Sequence, residues 1–139
     1  MRNIWIAALI ISTLPGTTCA TCLLGNYSVP AEYQRSEAVI SGVVTDAHLV
    51  PDKEDPESSS GISYTIKITH SFRGSLHVKT TIYSENSSGR FPLELGTEYV
   101  LFLSKQGHEF VADNCGNSGP YYEKKSTVAA IEKLARKSG

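Results

Sequence analysis

Between residues 62 and 72 apolar and polar positions alternate. Ile62, Tyr64, Ile66, Ile68, His70 and Phe72 fall on one side, and Ser63, Thr65, Lys67, Thr69 and Ser71 on the other. Successive side chains of a strand point to opposite faces, so the pattern predicts a long strand with one buried face. Arg73-Gly74-Ser75 turns the chain, and alternation resumes over 77–84, where Val78, Thr80 and Ile82 oppose Lys79, Thr81 and Tyr83. This predicts a hairpin partner. Upstream, residues 38–49 are apolar and β-branched and are interrupted by Gly42, which predicts a first strand bent at that glycine. Residues 99–103 are apolar throughout, the mark of a central strand within 98–104, and residues 93–96 lead into it. After a turn at 105–107, residues 109–112 read as a short last strand.

Two segments read as helical. Residues 30–37 suggest a short helical turn or loop. Residues 126–137 suggest a helix in which Val128, Ile131 and Leu134 share a face, Ser126 caps the start, and Glu132 and Arg136 stand four apart in favourable order. Residues 51–60 and 85–90 are polar loops, and 114–125 is irregular, with Tyr121 and Tyr122 expected to pack the tail onto the sheet. The sum is a mainly β chain: a five-stranded OB-fold-like barrel with a C-terminal α-helix. Closure into a barrel removes the exposed edges that a flat sheet of this size would leave.

The chain start changes the picture. Arg2 is followed by the apolar run 4–11 and then by small and turn-forming residues up to Ala20. A short apolar stretch with a positive start and a small-residue exit is the pattern of a signal peptide, here residues 1–20, and is too short to span a membrane. Residues 21–139 then form one domain, in a periplasmic or extracellular compartment where cysteines can pair. No further long apolar run follows, so no transmembrane anchor is expected.

Three cysteines are an odd number for an exported chain. Cleavage between Ala20 and Thr21 discards Cys19 and leaves Cys22 and Cys115 to pair. Cleavage between Thr18 and Cys19 instead leaves Cys19 as a free N-terminal thiol. A lipid anchor on Cys19 is the third reading, against which Gly16-Thr17-Thr18 lacks the aliphatic residue that lipidation prefers.

The charge balance narrows the partners. Thirteen basic residues against fourteen acidic ones give a net charge of −1, with no basic surplus for nucleic acid or anionic lipid. His48, His70, His77 and His108 show no metal-ligand spacing. His70, on the apolar face of its strand, reads as a hydrogen-bonded interior residue and the others as surface residues. Asp46, Asp52, Glu54, Asp55 and Glu57 form an acidic run without calcium-loop spacing, which reads as a solvated loop. Cys19-x-x-Cys22 abuts the leader instead of lying between a strand and a helix, which argues against a redox pair, and no Gly-x-Ser-x-Gly elbow is present. Neither a catalytic residue nor a cofactor is expected. A small barrel also raises a ligand-binding reading, which rests on fold analogy alone.

The order of several short motifs is familiar. The strand Ala38-Val39-Ile40-Ser41-Gly42-Val43-Val44 precedes the long alternating strand, which ends in Phe72-Arg73-Gly74. Leu93-Glu94-Leu95-Gly96-Thr97-Glu98-Tyr99 introduces the central strand, and Phe110-Val111-Ala112-Asp113-Asn114-Cys115 closes the set. Together they resemble the netrin-like domains of the tissue inhibitor of metalloproteinases superfamily, in particular its short bacterial-type members, over nearly all of residues 21–116. The resemblance implies an OB-type barrel over 21–116 followed by the helix 126–137, no enzymatic activity, and a partner that is a zinc metalloprotease or another extracytoplasmic protein. It matches Cys22 and Cys115 to a family disulfide, and makes Thr21, Cys22, Leu23 and Leu24 the protease-contact ridge.

Family inhibitors grip the catalytic zinc with the α-amine and carbonyl of a leading cysteine in a Cys-x-Cys start. This chain departs in two places. Cys19-Ala20-Thr21-Cys22 is one residue longer, and Ser88-Gly89-Arg90-Phe91-Pro92 stands where the family has a further cysteine. The zinc-gripping role is therefore not carried over, and the alternative is a non-inhibitory structural or adaptor module of the cell envelope.

Overall fold

The computed structural model describes Cys22, residues 27–76 and residues 78–139. The elements are α1 (Val29–Arg35), β1 (Ala38–Pro51), β2 (Ser59–Arg73), β3 (Lys79–Glu85), β4 (Glu98–Gln106), β5 (Glu109–Ala112), β6 (Gly119–Pro120), a 3₁₀ turn (Tyr121–Glu123) and α2 (Lys125–Ser138). The fold is mainly β with a C-terminal helix, as the alternation predicts.

The sheet runs β1-β2-β3-β5-β4, and β4 pairs back onto β1, so five strands close in a ring. All of these pairings are antiparallel except β3–β5, which is parallel and rests on one residue pair, Ile82 opposite Phe110. β6 adds two residues to the flank of β4. Register shifts in the β1–β2 pairing at Val39/Ile40, Ser41/Gly42 and Val44/Asp46 bend the two strands. The bend falls at the predicted glycine for a steric reason. A Cβ on Gly42 would come within 2.8 Å of the Lys67 carbonyl oxygen, so β2 can cross only where β1 has no side chain. Beyond Val44, β1 leaves β4 and pairs with β2 alone among the described residues.

Two cores explain why β4 is apolar without alternation. Tyr99, Leu101 and Leu103 point into the ring, where they meet Ala38, Ile40, Val44, Tyr64, Ile66, Ile82 and Leu93. Val100 and Phe102 point outward, beside Val39 of β1, and are covered by the helices through Tyr33, Val128 and Ile131. A strand covered on both faces buries every side chain.

The motifs that carry the family resemblance hold this framework together. The Arg73 guanidinium donates to the carbonyls of Ser36 (2.9 Å) and Gln34 (3.1 Å), which satisfies the open C-terminal end of α1. Gly74, at φ +84°, passes so close to β1 that a Cβ would lie 2.8 Å from the Glu37 carbonyl oxygen. Leu93 is buried in the ring core. Gly96 turns the chain at φ +78°, and the Tyr99 hydroxyl accepts the Glu94 amide at 3.1 Å.

Four local expectations need correction. The alternation of β2 buries Tyr64 and Ile66, but His70 is exposed and lies against Phe72, with ring centroids 4.4 Å apart. β2 carries an extra residue at Thr69 and another at Phe72 relative to β1, so its alternation breaks after Ile68 and its last residues leave the ring interior. Val78 precedes β3 instead of joining it and is exposed at φ +64°. Ser126 does not cap α2. The helix begins at Lys125 and has no side-chain cap, because the 3₁₀ turn delivers the chain directly into it through the Lys124 amide bonded to the Tyr121 carbonyl. Tyr121 packs against the outer core as expected, whereas Tyr122 is exposed.

Candidate functional site

After β5 the chain makes a tight turn. The Asp113 carboxylate accepts the Cys115 amide (2.8 Å), and its carbonyl accepts the Gly116 amide (3.0 Å). This pins Cys115 at the exit of the last ring strand, where it forms a disulfide with Cys22. The Cα atoms are 5.7 Å apart and the sequence separation is 93 residues.

The staple is reinforced by a buried polar joint. Glu32, in the first turn of α1, is only 4% exposed. Its Oε2 accepts the Asn117 backbone amide and the Asn117 side-chain amide, both at 2.7 Å. The same side-chain amide donates to the Tyr27 carbonyl at 2.8 Å. A carboxylate this buried must be hydrogen-bonded, and Asn117 supplies both bonds. Gly116 makes the approach possible, since a Cβ there would run into the Glu32 carboxylate. Farther along, the Arg35 guanidinium lies 3.5 Å from the Tyr27 ring centroid, and Ser28 caps α1 by accepting the Ala31 amide (3.4 Å). Cys22 is thus bonded covalently to the exit of the ring, and Tyr27 is held by the Asn117 hydrogen bond and by a cation–π contact with Arg35 of α1.

The structure brings Cys22 and Cys115 together. Ala20, Thr21, Leu23 and Leu24, like Cys19, residues 1–18 and His77, lie outside the described residues. Sequence reasoning missed Glu32 and Asn117. The available signals were weak: an acid in the first turn of a short helix, and a glycine-asparagine pair after the late cysteine. The segment 88–92, where the family carries a further cysteine, is fastened differently. The Ser84 hydroxyl accepts the Phe91 amide (3.1 Å) and donates to the Phe91 carbonyl (3.0 Å). The acidic run is organised as local turns, with Asp52 accepting the Glu54 amide and Asp55 accepting the Glu57 amide.

No family model matches the chain, and no curated protein matches it. Fold and staple define a class on their own terms: a mainly β ring with a C-terminal helix and its leading segment disulfide-bonded to the exit of the fifth strand. Among the described residues no helix is long and apolar enough to cross a membrane.

Proposed function

We propose that this chain is an exported, netrin-like binding module that acts by protein–protein contact and not by catalysis. Its contact ridge is the segment Thr21, Cys22, Leu23 and Leu24, and its target class is a zinc metalloendopeptidase. The observation that carries the reading is the anchoring of Cys22 to Cys115, with Tyr27 nearby fixed where its carbonyl accepts the Asn117 side-chain amide. The covalent anchor at Cys22 removes freedom that docking would otherwise cost, and preorganisation of this kind is where tight protein inhibitors gain affinity. The disulfide also supports export to a periplasmic or extracellular setting, because such bonds persist where the surroundings are oxidising.

The test is titration of purified residues 21–139 against a panel of zinc metalloproteases. The reading expects stoichiometric inhibition that disappears when one residue is added to the N-terminus. Absence of inhibition across the panel refutes it in favour of the envelope adaptor. That second reading draws support from the segment 88–92, which is tied by the Ser84 hydroxyl where an inhibitor would need a second bridge.

A further inference from the structure

A different part of the ring carries a second site. β3 and β5 meet through a single residue pair, and three adjoining hollows of about 410, 640 and 330 Å³ open along that seam. All three are lined by Tyr83. Its phenol is fixed in two ways. The hydroxyl donates to the Ser60 carbonyl at 2.8 Å, and the ring lies against Gly61, where a Cβ would come within 2.8 Å of the ring carbons. Only a glycine at position 61 lets the ring settle there. The residue is half-buried, so the held ring still presents surface to the hollows.

The largest hollow is walled by Asp52 and Glu54 from the β1–β2 turn and by Gln106, His108 and Glu109 around the β4–β5 turn. Three carboxylates face one lysine, Lys53, so the wall repels phosphates and sulfates. It offers hydroxyl groups several acceptors, and Gln106 adds a donor. A rigid aromatic surface flanked by carboxylate and amide groups suits a ligand with an apolar face and a rim of hydroxyls.

We propose that this seam binds a neutral pyranose oligosaccharide. One sugar ring lies on Tyr83, and its hydroxyls donate to Glu109 and the acidic turn and accept from the Gln106 amide. Tyr83 needs no reordering to receive it, because its hydroxyl and ring are already tied.

The test uses residues 21–139 in their disulfide-bonded form, titrated with cellotriose, triacetylchitotriose and maltotriose and followed by amide NMR. The expected result is saturable shifts from one of these sugars, confined to residues 52–54, 80–84 and 106–110. Tyr83→Ala should abolish them. Glu109→Gln, on an exposed residue that folding does not need, should weaken binding about tenfold, the loss expected for one charged hydrogen bond. If Tyr83→Ala fails to fold, Glu109→Gln and Gln106→Ala read the site alone. The proposal is overturned if no sugar shifts these residues, if affinity is unchanged in Glu109→Gln and Gln106→Ala, or if a lysine-rich peptide occupies the seam and the sugars do not.

Discussion

Removing the staple with Cys22→Ser and Cys115→Ser together measures how much the leading segment owes to it. The bond closes a loop of 93 residues. On the chain-entropy account, cross-linking a loop of that length removes enough freedom from the unfolded chain to stabilise the fold by about 4.6 kcal/mol. A domain of this size has a total stability of about 5–15 kcal/mol, so the loss is a large part of the whole. Urea unfolding followed by far-ultraviolet circular dichroism is the assay. At an m-value of about 1.5 kcal/mol per molar, the midpoint should fall by about 3 M. The m-value should itself rise, because an unfolded chain freed of its cross-link exposes more surface. The double variant leaves no lone thiol to form dimers. A midpoint shift below about 0.7 M, equivalent to about 1 kcal/mol, would refute the reasoning, since the loop would then have no entropic cost to save.

Four further outcomes are expected. Glu32→Ala removes the acceptor of both Asn117 bonds and should cost about 2–3 kcal/mol in the same urea assay, with a smaller loss for Glu32→Gln; a loss within error for both would mean the joint is idle. Ile131→Ala opens a cavity in the outer core and should cost about 2–5 kcal/mol; helix α2 contributes nothing to the fold if the melting curve stays in place. The negative charge of Glu123 is the main reason the Tyr122 phenol is held above its ordinary pKa of 10.0, because it disfavours the phenolate. Glu123→Gln should therefore move the Tyr122 titration to lower pH, read from its ring carbons by NMR, and an unmoved curve contradicts the assignment. Asp46→Val on the open half of β1 should lower the protein concentration at which light scattering detects association, and unaltered scattering would show that this charge protects nothing.

Much of the ring was legible because its signals are local. The alternation of 62–72 and the unbroken apolar run of 99–103 each report how many faces of a strand are covered, and that depends on side chains a few positions apart. Gly42 was legible as a bend because a glycine inside a β-branched run has few other uses. What failed depended on distant partners. His70 shares the parity of Ile66, yet the extra residue at Thr69, which only the pairing with β1 defines, decides that it faces water. The start of α2 was misplaced because the preceding 3₁₀ turn replaces a side-chain cap, and Ser126 looks the same in either case. Of the candidate site, the cysteine pair was one of three readings of an odd cysteine count, the one in which Cys19 is discarded. Glu32 and Asn117 stand 85 positions apart, and nothing in either neighbourhood announces that one will bury the other.

The half of β1 that runs on past Val44 has a consequence for the molecule in company. Among the described residues its outer backbone groups have no second strand partner, and two copies approaching there could extend one sheet into the other. The two-for-one step at Thr45 twists that border, and Asp46 with the acidic turn beyond it would set like charges against each other across the junction. The strand that leaves the ring is thereby made inhospitable to its own twin.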